Sequence, residues 1–268
     1  MKTQTRSLFS DPSLDYSDDF YKSQIEGSYK SARRYGERLA SVYRSLSVVD
    51  VGCGRGTWLK AFKDCGAEKV VGLDGPWNSA SNMIDPSIQF HAVELNLPIV
   101  FEGDERFDLA MSVEVAEHLH EASAKGFVAS LTRLSDVVLF GSAFSSQGGT
   151  NHVNEQPHTY WAKLFETHDY APYDCFRPAF WGDVNIEFWY QQNVFLYVKR
   201  SSSLVSPLKS ASHSPMENIA FMDCVHPSLY FAKLGQIKRR VDVKRIVHSA
   251  IPQPLLSLAR RVRRRLAP

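Results

Sequence analysis

Val48-Val49-Asp50-Val51-Gly52-Cys53-Gly54-Arg55-Gly56-Thr57-Trp58-Leu59 decides how this chain is read. A short β-branched run ends in an acid, a glycine-rich turn follows, and then a helical stretch. Only glycine lets a backbone turn this sharply and approach a ligand this closely. Amides that follow such a turn sit at a helix N-terminus, where they can hold a carboxylate or phosphate. The spacing is Gly-x-Gly-x-Gly, distinct from the Gly-x-Gly-x-x-Gly of dinucleotide-binding folds.

Strand and helix signals alternate outward from this turn. Residues 18–45 read as a helix. Strands are expected at Ser47–Val51, Lys69–Asp74, Ile88–Val93, Phe107–Val113 and Asp136–Gly141. Tyr173–Cys175 and Val194–Val198 are expected to close the sheet as a pair. Helices are expected at Thr57–Cys65, Glu114–Leu134 and Trp161–His168. Such alternation implies a doubly wound α/β fold: a seven-stranded, mostly parallel sheet with ligands at the carboxyl ends of the strands. The expected organisation is an N-terminal helical cap over 1–45, a catalytic domain over 46–202, a Ser/Pro-rich linker over 203–227 and a basic helical tail over 228–268.

Composition narrows the class. The chain has 268 residues, 44% hydrophobic and 12% aromatic, enough for one large α/β core. Cys53, Cys65, Cys175 and Cys224 form no Cys-x-x-Cys pair, so neither a zinc ribbon nor a redox dithiol is suggested. Cys53 reads as a small space-filler inside the turn. The first twenty residues are polar and acidic, unlike a signal peptide, and no apolar run approaches the roughly 20 residues of a membrane span. A cytoplasmic protein is expected. The net charge of +2 hides an asymmetry: Phe231–Pro268 carries +10 and the remainder −8. Leu255, Leu258, Val262 and Leu266 share a helical stripe among five arginines between Arg260 and Arg265. A basic amphipathic helix of this kind suits an anionic membrane surface or a partner protein.

With Asp50 just before its first glycine, the turn resembles motif I of the class I S-adenosylmethionine-dependent methyltransferases. The resemblance covers residues 46–142. It implies S-adenosylmethionine as cofactor, with Asp50 and Gly52 at its amino-acid end and Gly54 and Gly56 in the turn that passes close to it. Asp74, an acid ending the second strand, would accept both ribose hydroxyls. Trp77 offers an adenine platform or core packing. Glu94-Leu95 occupies the position of the acid-Leu pair that meets the adenine amine, and Ser112 ends the fourth strand beside the cofactor.

Ser112-Val113-Glu114-Val115-Ala116-Glu117-His118-Leu119 follows that strand. On a helix, Glu114, Glu117 and His118 share one face. Two carboxylates and an imidazole there either hold a divalent cation or leave His118 a general base, its basicity raised by the acids. A third possibility is that the two glutamates only suit the helix start. Glu-x-x-Glu-His is similar to the motif of ubiquinone-pathway O-methyltransferases and of small-RNA 2′-O-methyltransferases. That resemblance implies Mg²⁺ or Mn²⁺ on Glu114, Glu117, His118 and His152, with Glu117, His118 and His152 serving catalysis. The polar loop 143–160 and the later Arg177, Trp181, Trp189, Tyr190, Gln192 and Asn193 suit a sugar, which needs aromatic faces beside amides; Trp181 and Trp189 also read as core or lid packing. The segment from His152 to Asn193 also resembles bacterial methyltransferases associated with glycan gene sets. The expected function is O-methylation of a glycan or glycoconjugate hydroxyl. N- or carboxyl-methylation of a small metabolite ranks second, and RNA 2′-O-methylation third, nucleic acid being a poor fit. The non-enzyme alternative is a cofactor-binding adaptor.

Overall fold

A computed structural model describes residues 18–99 and 105–250, with side chains described over 26–99 and 105–239. Contacts divide the chain into two compact units, Met1–Cys224 and Val225–Pro268. The first holds seven strands: β1 Ser47–Val51, β2 Lys69–Asp74, β3 Gln89–Ala92, β4 Leu109–Val113, β5 Val137–Gly141, β6 Tyr170–Tyr173 and β7 Val194–Lys199. Their order across the sheet is β3-β2-β1-β4-β5-β7-β6. β1 to β5 run parallel, while β7 is antiparallel to β5 and β6. The doubly wound, mostly parallel architecture expected from the sequence is the one observed.

The helices are α1 Asp18–Ala40, α2 Thr57–Asp64, α3 Ala124–Leu134, α4 His158–Glu166, α5 Arg177–Phe180, α6 Phe188–Asn193 and α7 Val205–Ser210, with α8 Pro227–Ala250 in the second unit. Those of the first unit cover both sheet faces, which is why the central strands read as continuous apolar runs. One core joins Tyr35 of α1, Trp58 of α2 and Tyr190 of α6 to Val48, Leu109 and Leu139. The other joins Phe127 of α3 and Trp161 and Phe165 of α4 to Val49, Ala110 and Phe140. The strand period of two sends alternate residues to opposite cores. The helix at 18–40 is thus part of the fold's first layer: Tyr35 is fully buried and its hydroxyl donates to the Tyr190 carbonyl at 2.8 Å.

Three expectations need correction. The strand expected at Tyr173–Cys175 instead occupies Tyr170–Tyr173, where its ladder to β7 runs from Tyr170 opposite Lys199 to Tyr173 opposite Leu196. The helix expected over Glu114–Leu134 begins as α3 only at Ala124; before it stand single 3₁₀ turns at Ala116–His118 and Glu121–Ser123. The amide of Glu114 instead extends the ladder of β4 to the Gly141 carbonyl, and Glu114 then takes φ +57°, a left-handed kink no helix tolerates. The stretch expected as linker contains α7, whose Leu208 and preceding Leu204 are buried, and the first unit runs on to Cys224. Arg177 draws residues 221–222 against the domain by donating to the carbonyls of Met222 and Phe221. The stripe from Leu255 to Leu266 lies outside the described residues.

Candidate active site

The glycine turn is held by both neighbouring strands. The amides of Gly52 and Cys53 donate to the Leu73 carbonyl at the end of β2. Gly52 adopts φ +85°, and a Cβ there would meet Val115 at 2.4 Å, so no other residue fits. Gly54 and Gly56 also take positive φ, and Gly56 starts α2. Cys53 packs its sulfur 2.7 Å from where a Gly72 Cβ would stand, as a space-filler does, and burial pushes its thiol pKa up.

Asp74 closes this cradle. One carboxylate oxygen accepts the Gly54 amide at 2.7 Å and the other accepts the Gly75 amide at 2.7 Å. Asn78 donates to both the Gly54 carbonyl and Asp74. No sequence signal marked Asn78; its contacts exist only because β1 and β2 end side by side. Asp50 is buried in β1, and burial with the nearby Asp74 charge pushes its pKa up to about 8. A buried acid so poised becomes ionised when a cation arrives beside it. Trp77 is 72% exposed and its ring covers Gly75, so it is no part of the core. Glu94 is exposed and accepts from the Asn96 amide, while Leu95 is buried. Ser112 is fully buried in β4, its hydroxyl without a hydrogen-bond partner.

A second cluster stands at the carboxyl ends of β4 and β5. Glu117 is fully buried: one oxygen accepts from Ser142 Oγ at 3.1 Å, and Oε1 has no hydrogen-bond partner. The His118 and His152 rings meet edge to face at 4.8 Å. One ligand atom from each of Glu117, His118 and His152 lies within 4.8 Å of the others. His118 Nδ1 is 3.3 Å from the Asn151 carbonyl, and His152 Nδ1 is 2.8 Å from Glu155 Oε1. Both acceptors demand a proton on Nδ1, so in the neutral ring the lone pair lies on Nε2. The loop after β5 is fastened over this cluster by the amides of Val153 and Asn154, both donating to the Glu117 carbonyl.

Glu114 does not join the three-residue cluster. Its left-handed kink turns the carboxylate toward Asn193, which donates at 2.8 Å, and Gln147, at 3.4 Å. Gln192 and Asn193 are buried in the same amide network. Burial pushes Glu114 up to about 7, and burial with the Glu114 charge pushes Glu117 up as well. His118 is lowered by partial burial and by His152, so the expected rise in its basicity does not occur.

A family model described as "Methyltransferase domain" matches residues 21–174. The chain belongs to the methyltransferase-domain family. Its sheet is that of the class I S-adenosylmethionine-dependent methyltransferases, and S-adenosylmethionine is the cofactor of this class, as expected from the turn. A ubiquinone biosynthesis O-methyltransferase from Rhodopseudomonas palustris (strain BisB5) is 32% identical over 103 residues, 37% of this chain and 40% of that protein. The mitochondrial protein of the same name from Dictyostelium discoideum is 30% identical over 103 residues, 33% of this chain and 32% of that protein. The match thus spans two fifths or less of these curated relatives. Among solved structures, an O-methyltransferase family protein from Burkholderia thailandensis aligns with TM-score 0.51 at 15% identity, over 69% of this chain and 60% of that one. An amino pentose methyltransferase from Micromonospora echinaspora aligns with TM-score 0.51 at 12% identity, over 71% and 99%.

Within this methyltransferase domain, several residues expected to face a sugar serve the scaffold instead. Arg177 is buried, pairs with Asp174 at 2.8 Å and lies 4.4 Å over the Phe195 ring. Gln192 and Asn193 support Glu114, and His158 is buried against Phe144 and Phe195. Trp189 packs partly against the core, whereas Trp181 is exposed. Ser142 and Gln147 carry no individual signal in the sequence, and Glu155 stands out only as one of the polar side chains of loop 143–160. Only the density of polar residues after β5 hinted at them.

Proposed function

We propose that this chain transfers the methyl group of S-adenosylmethionine to a hydroxyl, in the specific reading a sugar hydroxyl of a glycan or glycoconjugate precursor, with Mn²⁺ or Mg²⁺ held by Glu117, His118 and His152. One observation carries the cation reading: a buried carboxylate oxygen without a hydrogen-bond partner stands beside two imidazoles whose Nδ1 atoms are already engaged. Such an oxygen is costly unless it gains a partner. Two nitrogens and one oxygen form a mixed set that suits Mn²⁺ better than the oxygen-preferring Mg²⁺. A bound divalent cation makes an attached hydroxyl more acidic near neutrality.

The cofactor supplies a methyl carbon on a positively charged sulfur. Asp74 receives the ribose, its oxygens set by the Gly54 and Gly75 amides. Asp50 meets the cofactor's positive end, Gly52, Gly54 and Gly56 admit it closely, and Trp77 and Glu94-Leu95 border the adenine. The domain's main contribution is alignment of donor and acceptor. Without a cation, the neutral His118 would take the hydroxyl proton at Nε2, which its lowered pKa leaves open.

The sugar reading is supported by the exposed Trp181 and by the polar loop after β5. Location beside an anionic membrane, where lipid-linked sugars lie, is supported by the +10 charge of Phe231–Pro268 and by exposed Tyr230, Phe231, Leu234 and Ile237 on α8. Among the described residues no helix is long and apolar enough to cross a membrane.

The deciding experiment assays methyl transfer from labelled S-adenosylmethionine into hydroxylated glycan acceptors before and after EDTA treatment. EDTA should stop turnover and Mn²⁺ should restore it. Turnover indifferent to both overturns the cation reading. His118→Ala should then separate the remaining choices: a loss on the order of 10²-fold or more marks a general base, and near-normal turnover removes His118 from the chemistry. Mass spectrometry of the acceptor, seeking one added CH₂, tests the sugar assignment.

A further inference from the structure

We infer that Glu155 is a positioning residue that fixes the His152 tautomer and thereby sets the affinity of the Glu117–His118–His152 cluster for a divalent cation, an assignment whose affinity part depends on the cation reading above. Glu155 Oε1 accepts two hydrogen bonds, from His152 Nδ1 at 2.8 Å and from the Gly148 amide at 2.6 Å. A carboxylate oxygen can only accept, so the His152 proton is placed on Nδ1 and the Nε2 lone pair is turned out. Gly149 lies against the ring: a Cβ at that position would lie 2.3 Å from both Cε1 and Nε2 of His152, so only a bare backbone leaves Nε2 uncrowded there. The imidazole is therefore clamped between a carboxylate and a bare backbone, with His118 edge-on at 4.8 Å.

The clamp also links loop to ligand. Gly148 takes φ +77° and Asn151 φ +60°, two left-handed residues that fold the loop back on itself. Glu155 ties the start of that loop, at Gly148, to the ring at position 152. In the same loop the Asn151 carbonyl orients His118, and Val153 and Asn154 grip the Glu117 backbone. Glu155 thus acts on all three ligand residues through one segment, directly on His152 and indirectly on the others. A carboxylate that holds the outer nitrogen of an imidazole strengthens its inner nitrogen as a ligand, and loss of such a partner typically costs about 10–100-fold in metal affinity.

The test uses the full chain and Mn²⁺ alone as probe. Mn²⁺ binding is followed by electron paramagnetic resonance, and the His152 tautomer by ¹⁵N NMR of the histidine rings. The wild type should show His152 protonated on Nδ1. Glu155→Ala should lose that tautomer preference and weaken Mn²⁺ binding about 10–100-fold, while calorimetric affinity for S-adenosylhomocysteine stays unchanged. Glu155→Gln retains an acceptor oxygen and should restore the tautomer and much of the affinity. It also keeps the inference testable should the alanine variant not fold: a glutamine variant in which Nδ1 protonation is lost overturns the assignment. An alanine variant with unchanged tautomer, or with altered tautomer and wild-type Mn²⁺ affinity, overturns it equally. If the wild type binds no Mn²⁺, the cation reading falls, and the tautomer measurement still decides whether Glu155 positions His152.

Discussion

Asn193 Nδ2 lies 2.8 Å from Glu114 Oε1, although 79 positions separate the two residues in sequence. Asn193 ends α6 just before β7, and Glu114 follows β4 in a left-handed conformation. A non-glycine residue held there costs roughly 1–3 kcal/mol, and the amide network of Asn193, Gln147 and Gln192 is what the surrounding fold offers in return. Asn193→Ala should remove that donor from a buried acid and destabilise the domain by about 1–3 kcal/mol in urea unfolding. Asn193→Asp should be worse, since it sets a third carboxyl against Glu114. A variant as stable as the wild type would show that the kink holds by itself.

Asp74 accepts the Gly54 amide and so holds the glycine turn. Asp74→Ala should therefore both loosen the glycine turn and remove the proposed ribose acceptor. Hydrogen bonds to charged groups contribute about 1.5–3 kcal/mol, which corresponds to a loss on the order of 10–100-fold in affinity for S-adenosylhomocysteine. Calorimetry with unchanged affinity would remove Asp74 from the cofactor site.

Asp50 should make cofactor binding depend on pH. Its pKa is raised to about 8 in the folded chain against 3.8 in its absence. Between these values the folded state holds a proton that the unfolded state has lost. This contribution to stability is full below about pH 4 and is lost as pH rises toward 8. A cationic ligand favours the ionised form, so binding of S-adenosylmethionine near pH 7 should release a proton. Calorimetry in buffers of different ionisation heat should detect the release, and Asp50→Asn should abolish it. Equal proton release in both proteins would assign it elsewhere.

His158 acts in the opposite sense. Burial first, and the Arg177 charge second, depress its pKa to about 3 against an ordinary 6.5. Below pH 6.5 the unfolded chain takes up a proton that the folded chain refuses, so stability falls with falling pH through this window. The loss in urea midpoint between pH 7 and pH 5 should be smaller in His158→Gln. An identical loss would place acid sensitivity in another group.

The exposed face of α8 should bind anionic vesicles. Flotation of the full chain with vesicles containing phosphatidylserine should exceed that with phosphatidylcholine alone and should weaken with salt. Phe231→Asp with Leu234→Asp should reduce it further. Flotation insensitive to lipid charge and to these substitutions would leave α8 without a membrane role.

The glycine turn, the acid ending β2 and the apolar strands were legible in the amino-acid sequence because each depends on neighbours a few positions away. A left-handed turn needs glycine, and a strand buried on both faces needs an apolar run. These local demands established the doubly wound sheet and its cofactor edge. The arrangement around Glu114, Glu117 and His118 was not legible in the same way. Their spacing imitates a helix, yet the ladder bond from Glu114 to Gly141 and the grip of Asn193 bend the chain out of one. Which imidazole nitrogen meets an acceptor, and the contacts that Asn78, Gln147 and Glu155 make around the turn and the acid–imidazole cluster, were decided by tertiary structure alone. Each depends on burial and on hydrogen-bond partners brought from distant strands, and neither burial nor a distant partner is written in local spacing.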